Sequence, residues 1–441
     1  MLIHNNIPNI NTYTSKISFG NKTEIPEQAL TYLRKRKRKL HKGKNPDRSP
    51  KDLSNYNTER LEGIQNGIKI FEGLSFKQIA FFLSRAKEFV LQRGCNNMCS
   101  HCFTKAMPAS HWKKQNLLTR MDFEDFKELC HGIEELNNRF GFKISGKPEW
   151  ENYTTLFHDA DSSMITLTDK SGKVYDYADL GKMLYSVTGK RVLFDTAGWN
   201  IQDTKTQARM EALVKKVMES DEYNFLEFNV SLNPFHSIYS MALKQEKAGH
   251  PETAKKLTEI YTDRMANVIY TFAPLIRKKN IIEDIPRLNF IIRAMPDNSG
   301  FAGQDEITLK ALINLIYEKM KIQHETKIST LTNKNNITTG DLDNIFLQLK
   351  QEPGYIAIVG RATDILRGKK NPILQQQYEH NNPIIGVTDC TDGIILPNGD
   401  FYVTNWAETY PCFTLNFSKK GKPTPPVHPN LRPDPIPEEL M

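Results

Sequence analysis

The sequence predicts an α/β fold in which helices join parallel strands. Six short apolar runs of strand type occur between residues 88 and 360, and each run after the first follows a stretch with helical periodicity. Strands that alternate with helices form parallel sheets with right-handed connections. The 441 residues suffice for one large domain or two smaller ones with a substantial core. Periodicity alone does not separate a doubly wound sheet from an incomplete barrel.

Each predicted element has its own local signal. The six strands are predicted at residues 88–92, 153–157, 191–195, 225–232, 287–295 and 354–360. A first helix is predicted from apolar residues that recur at three and four positions, namely Phe126, Leu129, Cys130, Ile133 and Leu136. Further helices are predicted at 177–189, 204–220, 236–279, 305–320 and 338–351, with a polar surface insertion at 322–337. In either architecture we expect the functional site at the carboxyl ends of the strands.

The positive charge of the chain is concentrated in one segment. The formal net charge is +8, but residues 34–48 carry nine of the 59 Lys and Arg residues and one of the 51 Asp and Glu residues. The rest of the chain therefore carries equal numbers of both signs. Such a run is expected to be a solvated, flexible segment, with RNA, an acidic partner or another polyanion as its functional alternatives.

The ends of the chain and its location follow from composition. Residues 1–60 are polar and basic, and residues 421–441 are rich in proline, so both are expected to be flexible. The sequence contains neither an apolar run of 18 residues nor a secretory signal pattern. We therefore expect no membrane span and a cytoplasmic location.

The stretch RGCNNMCSHCF, residues 93–103, contains three of the six cysteines, Cys95, Cys99 and Cys102. Three thiolates in one tight loop can bind a single metal centre. A structural zinc site uses four protein ligands, whereas a four-iron cluster held by three thiolates leaves one iron open to an exogenous ligand. A zinc site with His101 or a distant residue as fourth ligand, and a chance cluster of structural cysteines, are the alternatives.

The spacing CxxxCxxC resembles the signature of the radical S-adenosylmethionine (SAM) superfamily. The Cys-Asn start and the His-Cys-Phe finish are most similar to its peptide-modifying branch. The resemblance covers roughly residues 85–365. It implies a partial (β/α)6 TIM-type barrel, assigned to residues 61–365, in which Cys95, Cys99 and Cys102 hold a [4Fe–4S] cluster.

The same resemblance implies an activity. The cluster, reduced by a flavodoxin or ferredoxin-type donor, would cleave SAM to methionine and a 5′-deoxyadenosyl radical that abstracts hydrogen from a substrate. The expected substrate is a peptide or protein side chain. The protein would supply binding, orientation and exclusion of water.

The resemblance also implies a SAM contact after the second strand. Members of the superfamily usually have Gly-Gly-Glu there, and this chain has Asp159, Ala160 and Asp161. Asp161 stands at the position of the Glu that receives the SAM amino group, and a carboxylate suits an ammonium. His158 or Asp159 facing the substrate, and an acidic capping loop, are the alternatives.

Four further residues are expected to bind the cofactor. Asn229 and Ser231 lie at the end of the fourth strand and point to one face. Arg293 on the fifth strand needs an anion, for which the SAM carboxylate and a structural ion pair are the options. His101 belongs to the cysteine motif. Residues 196–198 resemble the Thr-Asn-Gly sequence that is frequent after the third strand in the superfamily.

Residues 366–420 resemble the SPASM extension of peptide-modifying members in a degenerate form. Cys390 and Gly399 fit that pattern, and PNGD at 397–400 predicts a hairpin turn. Thr404 replaces an expected ligand, and Cys412 is the only cysteine downstream of it. We therefore expect no auxiliary cluster.

Two other functions are compatible with the sequence. The basic run at 34–44 is the support for an RNA-modifying radical SAM enzyme. The altered glycine motif is the support for a non-catalytic iron-sulfur or zinc-binding regulatory protein.

Overall fold

The structure is a computed structural model of the 441-residue chain. It describes residues 68–74, 78–79, 82–83, 86–99, 106–114, 118–140, 153–157, 159–278, 287–295, 303–330, 337–351, 354–355, 393–403 and 413–418. The segments 1–60 and 421–441, predicted to be flexible, lie outside these residues.

Most of the strands form one sheet. The strands are β1 (Ala86–Phe89), β2 (Tyr153–Thr155), β3 (Leu167–Thr168), β4 (Val174–Tyr175), β5 (Arg191–Thr196), β6 (Leu226–Leu232), β7 (Leu288–Ala294), β8 (Gly354–Tyr355), β9 (Gly393–Ile395), β10 (Asp400–Val403) and β11 (Phe413–Thr414). Nine of them pair in the order β11-β10-β9-β1-β2-β5-β6-β7-β8, and β3 and β4 form a separate antiparallel pair. The seven strands from β9 to β8 are parallel, and β10 and β11 are antiparallel.

The predicted α/β class and the six predicted strands are confirmed. They correspond to β1, β2, β5, β6, β7 and β8, which lie side by side in the order of the sequence. The first strand ends earlier than predicted, yet Val90 and Leu91 still donate backbone hydrogen bonds to Ile395 and Leu156 (2.9 and 3.1 Å). Of the last predicted strand, residues 356–360 lie outside the described part of the chain.

Eight α-helices accompany the sheet in the part of the chain that the structure describes. They are α1 (Ala109–Lys114), α2 (Phe123–Phe140), α3 (Tyr177–Thr188), α4 (Thr204–Glu219), α5 (Ser237–Lys247), α6 (Pro251–Phe272), α7 (Glu306–Ser329) and α8 (Thr339–Leu349). Side-chain caps begin several of them. Asp176 and Asp179 form a reciprocal capping box at α3, and Gly189 ends that helix in the left-handed conformation. No described helix is long and apolar enough to cross a membrane.

Two helix predictions were wrong in their boundaries. The stretch 236–279 is divided into α5 and α6, because Gly249 takes a φ of +81° and Pro251 occupies the first turn of the next helix. The predicted insertion at 322–337 begins as helix, since α7 continues to Ser329. Within residues 322–329 the apolar residues Ile322 and Ile328 are exposed and do not form a buried stripe. The sequence there therefore showed no apolar pattern with a helical period.

The sheet buries one face against the helices. On β6, Leu226, Phe228, Val230 and Leu232 are buried, whereas the alternating residues are half-buried. The Phe228 ring lies 5.6 Å from the ring of Phe272 at the end of α6. We call the opposite face, which carries Glu227, Asn229, Ser231 and their register partners, the open face.

The open face is polar. Arg191 on β5 pairs with Glu227 on β6 at 3.0 Å, and Asn289 on β7 donates to the same carboxylate at 3.1 Å. The ammonium of Lys87 on β1 lies 4.2 Å from the centre of the Tyr153 ring on β2. These side chains cover the amino-terminal half of the face and leave its carboxyl edge to the candidate site.

The predicted hairpin near the carboxyl terminus is confirmed, and it extends the sheet. Strands β9 and β10 are antiparallel, and β9 pairs in parallel with β1. Gly399 in the turn has a φ of +88°, and its backbone carbonyl accepts a hydrogen bond from Leu415 at 2.8 Å. A Cβ at this position would lie 2.8 Å from the Leu415 carbonyl and 3.1 Å from the Phe417 ring. Glycine is therefore required by both conformation and space.

We expect Gly399→Ala to lower the free energy of unfolding by at least about 2 kcal/mol, through backbone strain and a steric clash together. Gly172→Ala is the matched control, because Gly172 also has a positive φ but has no atom within 4 Å of the added Cβ. Urea denaturation of both variants measures the difference. Equal losses in the two variants would contradict the packing of the hairpin turn against residues 415–417.

Candidate functional site at the carboxyl edge of the sheet

The cysteine loop leaves β1 at the carboxyl edge of the sheet. Cys95 is half-buried and Cys99 is buried. The backbone N–H of Gly94 donates to the carbonyl of Asp159 at 3.1 Å, and that of Cys95 donates to Met107 at 3.0 Å. Cys102 and His101 lie outside the described residues. The loop therefore starts from a fixed position beside the end of β2.

Gly94 allows this loop to pass close to α1. Its φ is +103°, and an added Cβ would lie 2.5 Å from the backbone nitrogen of Ala109. Met98, between the first two cysteines, also has a positive φ of 48°. A left-handed conformation is uncommon for a residue with a side chain, and such residues concentrate at functional loops.

A buried ion pair lies directly beneath the cysteine loop. Nε of Arg93 is 3.1 Å from Oδ2 of Asp159, and both side chains are almost completely buried. Oδ1 of Asp159 has no hydrogen-bond partner among the residues that the structure describes. Loss of one member of such a pair leaves an uncompensated charge, at a cost of about 3–5 kcal/mol. The pair ties the start of the loop to the end of β2.

Asp161 organises the loop that follows β2. Its Oδ1 accepts from the backbone N–H and hydroxyl of Ser163 (3.0 and 2.5 Å) and from the Thr196 hydroxyl (2.8 Å). Its Oδ2 accepts from Asn97 Nδ2 (3.0 Å) and the Ala197 N–H (2.9 Å). Burial raises the pKa of Asp161, and the hydrogen bonds from Ser163, Ala197 and Thr196 oppose that rise.

Five donors use the hydrogen-bonding capacity of this carboxylate, which has about four lone-pair positions. Asp161 also caps the short 3₁₀ helix Ser162–Met164. The predicted contact with the SAM amino group would therefore require one of these donors to be displaced. In the structure as it stands, Asp161 is a capping and organising residue.

Asn97 connects the cysteine loop to three other elements. Its Nδ2 donates to Asp161 and to the carbonyl of Gly198 (3.0 and 2.9 Å), and its Oδ1 accepts from Nη1 of Arg264 at 3.2 Å. One amide thus joins the loop after β1 to the ends of β2 and β5 and to α6. We had not identified Asn97 or Arg264 from the sequence. Asn97 stands between two cysteines, which is a usable signal, whereas Arg264 lies 167 residues from its partner.

Arg264 brings a positive charge to the cysteine loop. Burial lowers the pKa of this guanidinium, while the proximity of Asp161, Cys99 and Tyr261 raises it. Its Nη1 also lies 3.3 Å from Nε2 of His236. A guanidinium next to a thiol favours the thiolate, which is the metal-binding form.

His236 brings a second ring nitrogen next to the guanidinium of Arg264. Nδ1 of His236 accepts from the Ile238 N–H at 3.2 Å and caps α5, so the neutral ring carries its proton on Nε2. Nε2–H then faces the guanidinium, which has donors only. Converging donors of this kind suit an anionic ligand.

Asn229 and Ser231 lie on the open face as predicted, and both are engaged. Nδ2 of Asn229 donates to Oδ1 of Asp195 at 2.5 Å, and Nδ2 of Asn233 donates to the Ser231 hydroxyl at 3.1 Å. The structure therefore adds the half-buried Asp195 to the site. The pKa of Asp195 is raised to about 7, mainly by burial; the Asn229 hydrogen bond opposes the rise, and the charges of Glu227 and Asp161 add to it.

Arg293 lies near the carboxyl end of β7, four strands from β1 in the sheet. At about 4.8 Å per strand this is about 19 Å along the sheet. It makes no hydrogen bond or ion pair with the residues that the structure describes. The structure shows no hydrogen bond between Arg293 and the group formed by Asn97, Asp161 and Arg264.

Several predicted features cannot be located. Among the described residues, no three His, Cys, Asp or Glu side chains converge as a metal site, and the third cysteine is not among them. His158, Cys390, Thr404 and Cys412 also lie outside the described part. Cys130 is buried in the core as expected, and burial raises the pKa of its thiol.

No protein-family model matches this chain, and no curated protein is significantly similar to it.

We expect Asp195→Asn to stabilise the protein increasingly from pH 4.5 to pH 7. The folded-state pKa of Asp195 lies above its unfolded value, so ionisation favours the unfolded state as the pH rises through this window. The half-buried position reduces the effect to about 2 kcal/mol at pH 8. Urea denaturation at several pH values measures it.

Asp169→Asn is the control of opposite sign. Hydrogen bonds from Ser171 lower the pKa of Asp169, so its ionised form is favoured by folding and its replacement gives no gain at pH 8. A stability difference for Asp195→Asn that does not change with pH would contradict the raised pKa.

Proposed function

We propose that this chain is a radical SAM enzyme in which Cys95, Cys99 and Cys102 hold a [4Fe–4S] cluster. The observation that carries the proposal is the position of the cysteine loop. It follows the first strand of a sequentially ordered parallel sheet, and Asn97 joins it to the ends of β2 and β5. Function in parallel α/β folds is concentrated at this edge.

The donor set suits such a cluster. Cys95 and Cys99 come from one short loop, and the positive charge of Arg264 lies near Cys99. When bound, the cluster and SAM supply a 5′-deoxyadenosyl radical that abstracts hydrogen from a substrate. The residues of this chain position the loop through Asp161 and Asn97 and direct donors from Arg264 and His236 toward an anion.

The strand order supports a partial (β/α)6 barrel. A doubly wound sheet reverses its strand order at a switch point, whereas β1, β2, β5, β6, β7 and β8 follow one another without a reversal. The half-buried polar residues of the open face also suit the inner face of an incomplete barrel, because a doubly wound sheet is covered by helices on both faces.

The proposed substrate is a peptide or protein side chain, bound against the open face. The reducing electron would come from a flavodoxin or ferredoxin-type donor. We propose further that Arg264, and not Arg293, takes the carboxylate of SAM, because Arg264 is the cation beside the cysteine loop.

Anaerobic reconstitution tests the cluster and its chemistry. We expect about four iron atoms per chain, and 5′-deoxyadenosine on addition of dithionite and SAM. Alanine at Cys95, Cys99 or Cys102 should abolish both, whereas Cys130→Ala, which removes a buried core thiol, should keep them. Zinc in place of iron would refute the proposal, and a cluster that yields no 5′-deoxyadenosine would favour the non-catalytic alternative.

Arg264→Gln tests the anion site beside the loop. We expect SAM to bind at least about tenfold more weakly, since a charge-assisted hydrogen bond is lost, and Arg264→Lys to lie between this variant and the wild type. Lys244→Gln, which removes an exposed positive charge from α5, is the control. Equilibrium dialysis measures the affinities, and iron content shows whether the loop is intact. Unchanged SAM affinity in Arg264→Gln would exclude this role.

A further inference from the structure

Arg293 is a cation on the open face of the sheet. Asn229 is in register with Asn289, so residues 289, 291 and 293 of β7 share the open face with Asn229 and Ser231. The neighbouring residues Ile292 and Ala294 point the other way and are buried. The guanidinium is thus held by a rigid strand at the carboxyl half of the face.

Arg293 differs from other cations in and beside the sheet in having no hydrogen-bond or ion-pair partner among the described residues. Arg191 pairs with Glu227 at 3.0 Å, and Arg93 pairs with Asp159 at 3.1 Å. Arg293 makes no such contact with any residue that the structure describes. Burial lowers the pKa of Arg293 with no acidic group opposing it, in contrast to Arg264.

A guanidinium stays charged in a protein, so its partial burial without an acidic partner among the described residues costs free energy. An anion that binds there would offset this cost. Sites that bind ligands are where such uncompensated groups occur.

The chemistry around Arg293 selects the anion. The guanidinium fork matches a carboxylate through two parallel hydrogen bonds. The open-face residues nearest to Arg293, Ile291 on the same strand and its register partner Ser231 on β6, are uncharged, so the site offers one positive charge for one negative charge.

We infer that Arg293 anchors a carboxylate of an acidic peptide substrate, either a Glu or Asp side chain or a carboxyl terminus. The assignment to substrate rests on the proposed function, in which SAM binds at the cysteine loop after β1 and Arg293 lies four strands away on β7. The binding of a carboxylate by Arg293 does not depend on it.

Binding of peptide pools to the full reconstituted chain tests this inference. The probes are three pools of fluorescent hexapeptides with neutral randomised residues. Two pools are amidated at the carboxyl terminus and carry either Glu or Gln at one central position. The third has a free carboxyl terminus and no acidic side chain. We expect the Glu pool or the free-acid pool to bind at least about tenfold more tightly than the Gln pool, as measured by fluorescence anisotropy.

The variants assign that preference to one residue. Arg293→Gln should remove it, Arg293→Lys should keep only part of it because the fork is lost, and Lys244→Gln should leave it unchanged. A wild type that binds all pools alike, or an Arg293→Gln variant that keeps the preference, would overturn the inference.

Two further measurements separate the possible failures. SAM affinity should be the same in Arg293→Gln as in the wild type, and a loss of SAM binding without a loss of carboxylate preference would assign Arg293 to the cofactor instead. Thermal unfolding should show no decrease in Tm for Arg293→Gln, and a decrease would reveal a partner within the chain. If the wild type forms no 5′-deoxyadenosine, the proposed function fails, but the preference for the Glu or free-acid pool still supports carboxylate binding by Arg293.

Discussion

The buried carboxylate of Asp161 is the interaction around which the candidate site is arranged. A carboxylate removed from water must be surrounded by donors, and here the donors come from the cysteine loop, the loop after β2 and the end of β5. Asn97 extends this arrangement to Arg264 on α6. The positions of four separate chain segments are therefore set by the hydrogen bonds of one side chain and its neighbour.

The sheet provides the frame for this arrangement because one of its faces is buried against helices and the other is half-buried among the described residues. Large apolar side chains such as Phe194 and Phe228 pack against Phe272 and supply the core. The alternating positions are left half-buried and can be polar, since they need not join that core. The two-residue period of the strands thus produces both the open face and the apolar face. The cysteine loop adjoins the carboxyl edge of the open face.

The charges of the site are distributed unequally across the sheet. Arg264 lies with Cys99 and Asp161 at one side, and Arg293 lies on β7 at the other. Asp195 lies between them on β5, with a pKa raised to about 7, so its charge changes near neutral pH. This separation gives the two cations different surroundings, one among acidic groups and one without a partner among the described residues.

Much of the fold could be predicted from the sequence, because strand and helix signals are local. The six apolar runs identified six parallel strands, PNGD identified the hairpin, and Gly189 marked the end of α3. The long prediction at 236–279 was wrong because one Gly and one Pro interrupt an otherwise continuous periodicity. The pairing of β9 with β1 joins segments about 300 residues apart and has no local signal.

The sequence by itself determined the cysteine spacing, the α/β class and the edge of the sheet where function is expected, since these depend on residue types and short periods. Only the tertiary structure decided which distant residues meet at that edge. Asn97, Asp161 and Arg264 come together because three crossovers return the chain to the same edge, whereas Arg293 lies on β7 and makes no hydrogen bond with them. The residue type alone therefore did not decide whether Arg293 binds SAM, because that depends on the positions of its possible partners.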